Sequence, residues 1–180
     1  MDMEVHQLEL QGLKLICPKV FRDERGFFFE SHQESRYQEA GIRPSFVQDN
    51  HSYSKQGVIR GMHFQSEPGQ AKLIRVALGK IYDAVVDIRP ESPTFGKWQG
   101  VYLDDEHHHQ LFIPLGFAHG FCVLSPEAHV LYKTSAPYEC KTEKGFRFDD
   151  PDIGIEWPIK DAKVSERDRE SPYFYELRWS

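Results

Sequence analysis

Short runs of β-branched and aromatic residues recur along the chain, several of them alternating polar and apolar side chains. They occupy residues 13–16, 72–78, 81–88, 100–103, 110–113, 120–124 and 129–134. Many short strands broken by glycine and proline predict an all-β sandwich or barrel. The step Leu78-Gly79-Lys80-Ile81 predicts a type II′ hairpin turn. Within 81–88, Asp83, Val85 and Asp87 fall on one strand face, and Tyr82, Ala84, Val86 and Ile88 on the other. An acid-bearing face opposite an apolar one suits a strand that lines a polar cavity. Helix signals are few. Residues 31–40 predict one short helix, with Ser31 as N-cap and Gly41 as stop. Trp157-Pro158 and Ser171-Pro172 keep any helix around 165–170 short.

The length, 180 residues, predicts one domain spanning 1–180. Net charge is -6, which argues against nucleic acid or an anionic membrane surface as partner and leaves room for a local basic pocket. Residues 1–10 carry Asp2, Glu4, His6 and Glu9 and no apolar run. Neither a signal peptide nor a membrane span is expected. Cys17, Cys122 and Cys140 are odd in number and lack CxxC spacing. They predict free thiols and a cytoplasmic location.

Four constellations carry candidate chemistry. In Gly57-Val58-Ile59-Arg60-Gly61-Met62-His63-Phe64-Gln65, regular alternation puts Arg60, Met62 and Phe64 on one face and His63 on the other. A neutral imidazole in a cavity is a good general base near pH 7, although a lone histidine is more often structural. The second, Pro114-Leu115-Gly116-Phe117-Ala118-His119-Gly120, resembles the second motif of the cupin superfamily, a jelly-roll barrel. Metal-binding cupins also need a His-x-His pair, and the positions flanking His63 are Gly61 and Gln65. No metal site is therefore expected. The third, His107-His108-His109, cannot converge on one ion from an extended chain and predicts a solvated loop. The fourth is a scatter of cations, Arg25, Arg60, Lys72, Arg75 and Arg167, which together with a barrel suggests an anion pocket.

Six segments in order resemble the dTDP-4-dehydrorhamnose 3,5-epimerase family. They are Asp23-Glu24-Arg25-Gly26-Phe27-Phe28-Phe29-Glu30, Phe46-Val47-Gln48-Asp49-Asn50-His51-Ser52, Ile59-Arg60-Gly61-Met62-His63-Phe64-Gln65, Asp87-Ile88-Arg89-Pro90-Glu91-Ser92-Pro93-Thr94-Phe95-Gly96, the stretch 113–124, and Asp149-Asp150-Pro151-Asp152-Ile153-Gly154-Ile155-Glu156-Trp157-Pro158.

The resemblance implies a cupin-type jelly-roll barrel with a few short helices. It implies inversion at carbons 3 and 5 of a dTDP-4-keto sugar, without cofactor or metal. His63 would be the base, Asp168 its partner, Lys72 the enolate stabiliser and Tyr132 the acid on the opposite face. Arg60 and Arg25 would hold the diphosphate and Tyr138 would stack on thymine. Gln48, Asp49, Asn50 and His119 would line the sugar and phosphate site. Glu30 and Glu143 match nucleotide-contacting positions, and Arg167 stands where the family often has lysine. The segment with Arg25, Phe28 and Glu30 would cross to a partner subunit, which implies a homodimer. Two alternatives keep the barrel: a single-carbon epimerase or ketoisomerase, and a non-catalytic sugar-binding cupin. The second would be expected to lose His63 or Asp168, and both are present.

Overall fold

The structure, a computed structural model, describes residues 3–179. The reading of the N-terminus rests partly on Met1 and Asp2, which lie outside the described residues. In chain order the elements are β1 (Met3–Gln7), β2 (Lys14–Pro18), β3 (Phe21–Asp23), β4 (Gly26–Phe28), α1 (Glu34–Glu39), β5 (Gln48–Lys55), β6 (Ile59–Gln65), β7 (Lys72–Leu78), β8 (Lys80–Asp87), β9 (Trp98–Asp104), β10 (Gln110–Ile113), β11 (Phe117–Val123), β12 (Glu127–Thr134), β13 (Glu143–Gly145) and α2 (Glu166–Arg169). A six-stranded sheet runs β1-β2-β10-β7-β12-β5 and faces a five-stranded sheet, β13-β6-β11-β8-β9. Every strand pairing is antiparallel. The all-β jelly-roll expectation holds.

Both sheets are covered on both faces. Between them lies a core that includes Ile74, Val76, Val85, Leu111, Ile113, Phe121, Val123 and Val130. Outside the six-stranded sheet, Tyr37 of α1 and Ile42 pack on Ile16, Leu73 and Phe112. Outside the other sheet, the C-terminal segment lays Phe146, Ile153 and Phe174 over Met62, Phe64, Val86 and Ile88. Phe174 is completely enclosed, a burial that stabilises by about 1.5–3 kcal/mol. This double coverage leaves β11 buried at every position and β8 at all but Lys80 and Tyr82. It also corrects the reading of residues 81–88. The face with Val86 and Ile88 meets a second core, while Asp83 and Val85 point between the sheets.

Three local expectations change. The strands β7 and β8 belong to different sheets, so Gly79 turns a corner between layers and makes no hairpin. The positive φ of 86° expected of that glycine is present. A Cβ there would lie 2.2 Å from the Glu127 carbonyl oxygen. The N-cap of α1 is Gln33, whose side chain accepts from the Arg36 amide, and Ser31 lies outside the helix. The Ser31 carbonyl oxygen accepts from the Tyr37 hydroxyl and the Gln110 side-chain amide instead. The histidine tract is not uniformly solvated. His108 is 3% exposed and packs against Phe27 and Phe29 at 4.3 and 4.8 Å between ring centres. The apolar β3–β4 hairpin covers it, a contact no local pattern announces.

Candidate active site

A cavity of about 350 Å³ opens between the sheets, lined by residues from β5, β6, β7, β11, β12 and β13. On β6, regular alternation fails. His119 of β11 pairs with His63, but Phe121 pairs with Arg60, so Gly61 and Met62 face the single residue Gly120. This bulge shifts the phase of the strand. Arg60 and His63 both line the cavity, whereas Met62 and Phe64 enter the outer core. The expected grouping of Arg60 with Met62 is thereby overturned. The bulge requires glycine at 61. Its φ is 120°, and a Cβ would lie 2.6 Å from the Gly120 Cα.

The same strand receives a buried carboxylate from the C-terminal segment. Lys163 pairs with β6 through Ile59 N–H to Lys163 O (3.0 Å) and Lys163 N–H to Gly57 O (2.8 Å). Ser165 then caps α2 by accepting from the Asp168 amide. Asp168, 5% exposed, places Oδ1 2.7 Å from His63 Nε2. Its Oδ2 accepts from the Gly61 amide at 3.3 Å. Burial pushes the Asp168 carboxyl up. The hydrogen bond and charge of His63 and the Gly61 and Ser165 contacts outweigh that and hold it below the usual value. An ionised Asp168 fixes the tautomer: Nε2 carries the ring proton and donates it to the carboxylate. His63 Nδ1 has no hydrogen-bond partner among the described residues, which leaves its lone pair unused.

Two more reactive groups line the cavity. Lys72 on β7 is almost fully enclosed, and burial pulls its ammonium down to about 8 against the opposing pull of Asp83 and Glu143. Tyr132 on β12 has its phenol raised by burial, with Arg60 pulling the other way. Burial, with the neighbouring Lys72 and His63, holds the His119 imidazole well below its ordinary value.

At the outer end, polar groups form a fixed chain. Gln48 Nε2 donates to Asn50 Oδ1 (2.9 Å), and the Tyr138 amide donates to Gln48 Oε1 (2.9 Å). The Tyr138 phenol donates to Glu143 Oε2 (2.9 Å), which also pairs with Arg167 at 2.5 Å. Arg60 is braced by Ser54 Oγ and the Tyr53 carbonyl. Tyr138 stays 51% exposed, an open aromatic face that shares Glu143 with the Arg167 guanidinium.

Not every expected site residue joins this cavity. Asp49 alternates to the opposite face of β5, where it pairs with Lys133. Arg75 lines that neighbouring pocket as well. Arg25 pairs with Asp23 on the β3–β4 hairpin, and Glu30 pairs with Arg36. Phe28 is 63% exposed. Arg25, Phe28 and Glu30 do not line their own chain's cavity. Ser52, Gln70 and Phe121 line it and were missed. Strand alternation from Gln48 and Asn50 would have found Ser52, and alternation from His119 would have found Phe121. Among the described residues, no three His, Cys, Asp or Glu side chains converge as a metal ligand set.

A jelly roll whose cavity gathers a His–Asp pair, an enclosed lysine, a tyrosine and an arginine defines an acid–base enzyme for a small anionic ligand. The sequence model of the dTDP-4-dehydrorhamnose 3,5-epimerase family matches residues 7–176. A relative of that name from Shigella flexneri is 51% identical over 168 residues, covering 92% of this chain and 93% of the relative. Another, from Methanothermobacter thermautotrophicus, is 50% identical and covers 89% of this chain and 88% of the relative. A crystal structure of dTDP-6-deoxy-D-glucose-3,5-epimerase from Legionella pneumophila, in complex with dTDP-4-keto-L-rhamnose, superposes with a TM-score of 0.96. It shares 44% identity and covers 98% of this chain and 95% of that chain. The chain belongs to the dTDP-4-dehydrorhamnose 3,5-epimerase family.

Proposed function

We propose that the protein inverts carbons 3 and 5 of dTDP-4-dehydro-6-deoxy-D-glucose to give dTDP-4-dehydro-L-rhamnose. The observation that carries this reading is the convergence of His63, Lys72 and Tyr132 on one cavity, with Asp168 fixed behind the imidazole. Both carbons flank the 4-ketone, so loss of either proton leaves a resonance-stabilised enolate. His63 Nδ1 takes the proton, and Asp168 stabilises the imidazolium. The Lys72 ammonium donates to the enolate oxygen as charge develops there. Tyr132 returns a proton from the other face, and the resulting phenolate and imidazolium exchange with solvent to restore the starting state. No redox step occurs.

Arg60 and Arg167 suit the diphosphate, since a guanidinium makes bidentate contacts with phosphate. Tyr138 suits the thymine ring. Gln48, Asn50 and Glu143 suit the nucleoside, and His119 the sugar. The β3–β4 hairpin would carry Arg25, Phe28 and Glu30 to the cavity of a second copy, making a homodimer. Its exposed Phe21, Phe27 and Phe28, at 45%, 53% and 63%, support that reading, because exposed aromatic clusters mark interfaces. Three free cysteines are compatible with the cytoplasm.

The test is proton NMR of the purified protein with the 4-keto sugar nucleotide in heavy water. Deuterium at carbons 3 and 5, with product formation, is expected. Deuterium at one carbon would replace the reading with a single-carbon epimerase. Deuterium at neither would leave a binding protein.

A further inference from the structure

The β3–β4 hairpin cannot hold itself in place. Each of its strands has three residues, all exposed. Among the described residues the two strands pair only with each other. A lone two-stranded hairpin is marginal in water. Something else must fix its direction, and its contacts converge on one short stretch, residues 106–110, between β9 and β10.

Three attachments follow in order. From β3, Arg22 Nη2 donates to the Glu106 carbonyl at 2.6 Å, and the same guanidinium lies 5.6 Å from the Phe27 ring centre. At β4, the His108 ring meets Phe27 at 4.3 Å and lies nearly parallel to Phe29, at 4.8 Å and 22°. Just past the hairpin, the Gln110 side chain donates to the Ser31 carbonyl at 2.8 Å. The loop itself is held, because Asp104 Oδ1 accepts from the Glu106 and His107 amides at 3.2 and 2.8 Å. Histidine suits the middle attachment for two reasons. Residue 108 has a φ of 56°, a left-handed conformation in which asparagine and histidine are enriched and bulky side chains are outliers. The position, 3% exposed, also needs a flat ring to lie against two phenylalanines. Asparagine would meet only the first demand, and phenylalanine only the second.

We propose that His108 is a positioning residue: through its stack with Phe27 and Phe29 it aims the hairpin, and with it Arg25, Phe28 and Glu30, at the cavity of a second copy. This rests on the homodimer reading above. His108 lies outside the lining of its own chain's cavity, so it acts through the hairpin alone. It sets how tightly the nucleotide end of the substrate is held, because a hairpin that is already ordered loses less freedom on binding. The chemistry at His63, Lys72 and Tyr132 does not depend on it.

The test uses dimers of two differently tagged chains, co-expressed and purified through both tags. One chain carries His63→Ala and keeps its hairpin. The other carries Arg25→Ala and keeps its base. Only the second chain's cavity then holds an intact base, and only the first chain's hairpin can bring it an intact Arg25. This mixed dimer should recover a lower KM for the 4-keto sugar nucleotide than the Arg25→Ala homodimer. His108→Asn, which suits the left-handed backbone and removes the ring, is then added to one chain at a time. On the hairpin-donating chain it should raise KM by about 3- to 10-fold and leave kcat unchanged. On the other chain it should change nothing. Equal effects from either chain, as a general loss of structure would give, overturn the proposal, and so does no effect from both. A mixed dimer with the KM of the Arg25→Ala homodimer overturns the crossing itself, and the inference falls with it. Should His108→Asn fail to fold, Phe27→Ala removes the facing ring from an exposed position and should show the same asymmetry between chains. Its absence there overturns the proposal.

Discussion

Replacing Asp168 by asparagine isolates the charge behind the base. The Gly61 amide can still donate to an amide oxygen, and the Ser165 cap uses only the backbone of residue 168. The fold should therefore persist. Two things are lost. The first is the charge-assisted bond of 2.7 Å to His63. Hydrogen bonds to charged groups contribute about 1.5–3 kcal/mol, so the imidazole should weaken as a base by about 10- to 150-fold. The second is tautomer control. An asparagine that turns its NH2 toward Nε2 forces the ring proton onto Nδ1 and blocks the base. Together the two losses predict a fall in exchange of about 10²- to 10⁴-fold. Deuterium wash-in, scored by NMR, should decline equally at carbons 3 and 5, because one imidazole serves both. Calorimetric affinity for dTDP should not change, since Asp168 sits behind the cavity. Linkage adds a stability signature. The folded Asp168 carboxyl lies below its ordinary value of 3.8. Its stabilisation is therefore present above about pH 4 and fades as acid takes the pH down through the folded value. The variant should lack that part of the acid dependence. Wild-type exchange, or a loss confined to one carbon, would refute the reasoning.

Two further outcomes are expected. Tyr132→Phe removes the phenolic proton and keeps the ring, so substrate protons should still wash out through His63 while net inversion, read with a coupled reductase, falls steeply. Equal loss of both would break the division of labour between the two residues. For Lys72, burial lowers the folded value from 10.5 to about 8, so activity should decline above about pH 8 as the ammonium disappears. Across the same window the unfolded chain binds more protons than the folded one at this group, so its contribution to stability should rise. Parallel kcat and melting profiles from pH 7 to about 10 check these opposite trends, and an alkaline limb beginning only near 10.5 would exclude Lys72 as the group.

Strand content was legible along the chain because runs such as Ile74, Val76 and Val123 carry their periodicity locally. The strands missed, β1, β3, β4, β5 and β13, are polar, exposed or only three residues long, and their pairing depends on what lies beside them. The corner at Gly79 shows the same limit. A glycine with positive φ was readable, but which strand β8 would meet was decided across the barrel.

By itself, the sequence determined the class of fold and the family, and it supplied the candidate residue types of the site. Motifs such as Arg60-Gly61-Met62-His63 and Ser165-Glu166-Arg167-Asp168 specify them without reference to anything distant. Only the tertiary structure decided which groups share a face. The bulge opposite Gly120 turned Arg60 to the side of His63, and strand alternation sent Asp49 away from Gln48 and Asn50. Packing of the C-terminal segment on β6 carried Asp168 to within 2.7 Å of a histidine 105 residues earlier in the chain. It also showed Asp83 enclosed without a donor, since whether a carboxylate is paired depends on partners that no local pattern specifies. Periodicity encodes which side a residue prefers. Register, bulges and long-range closure, settled by packing the whole chain at once, decide what it meets there.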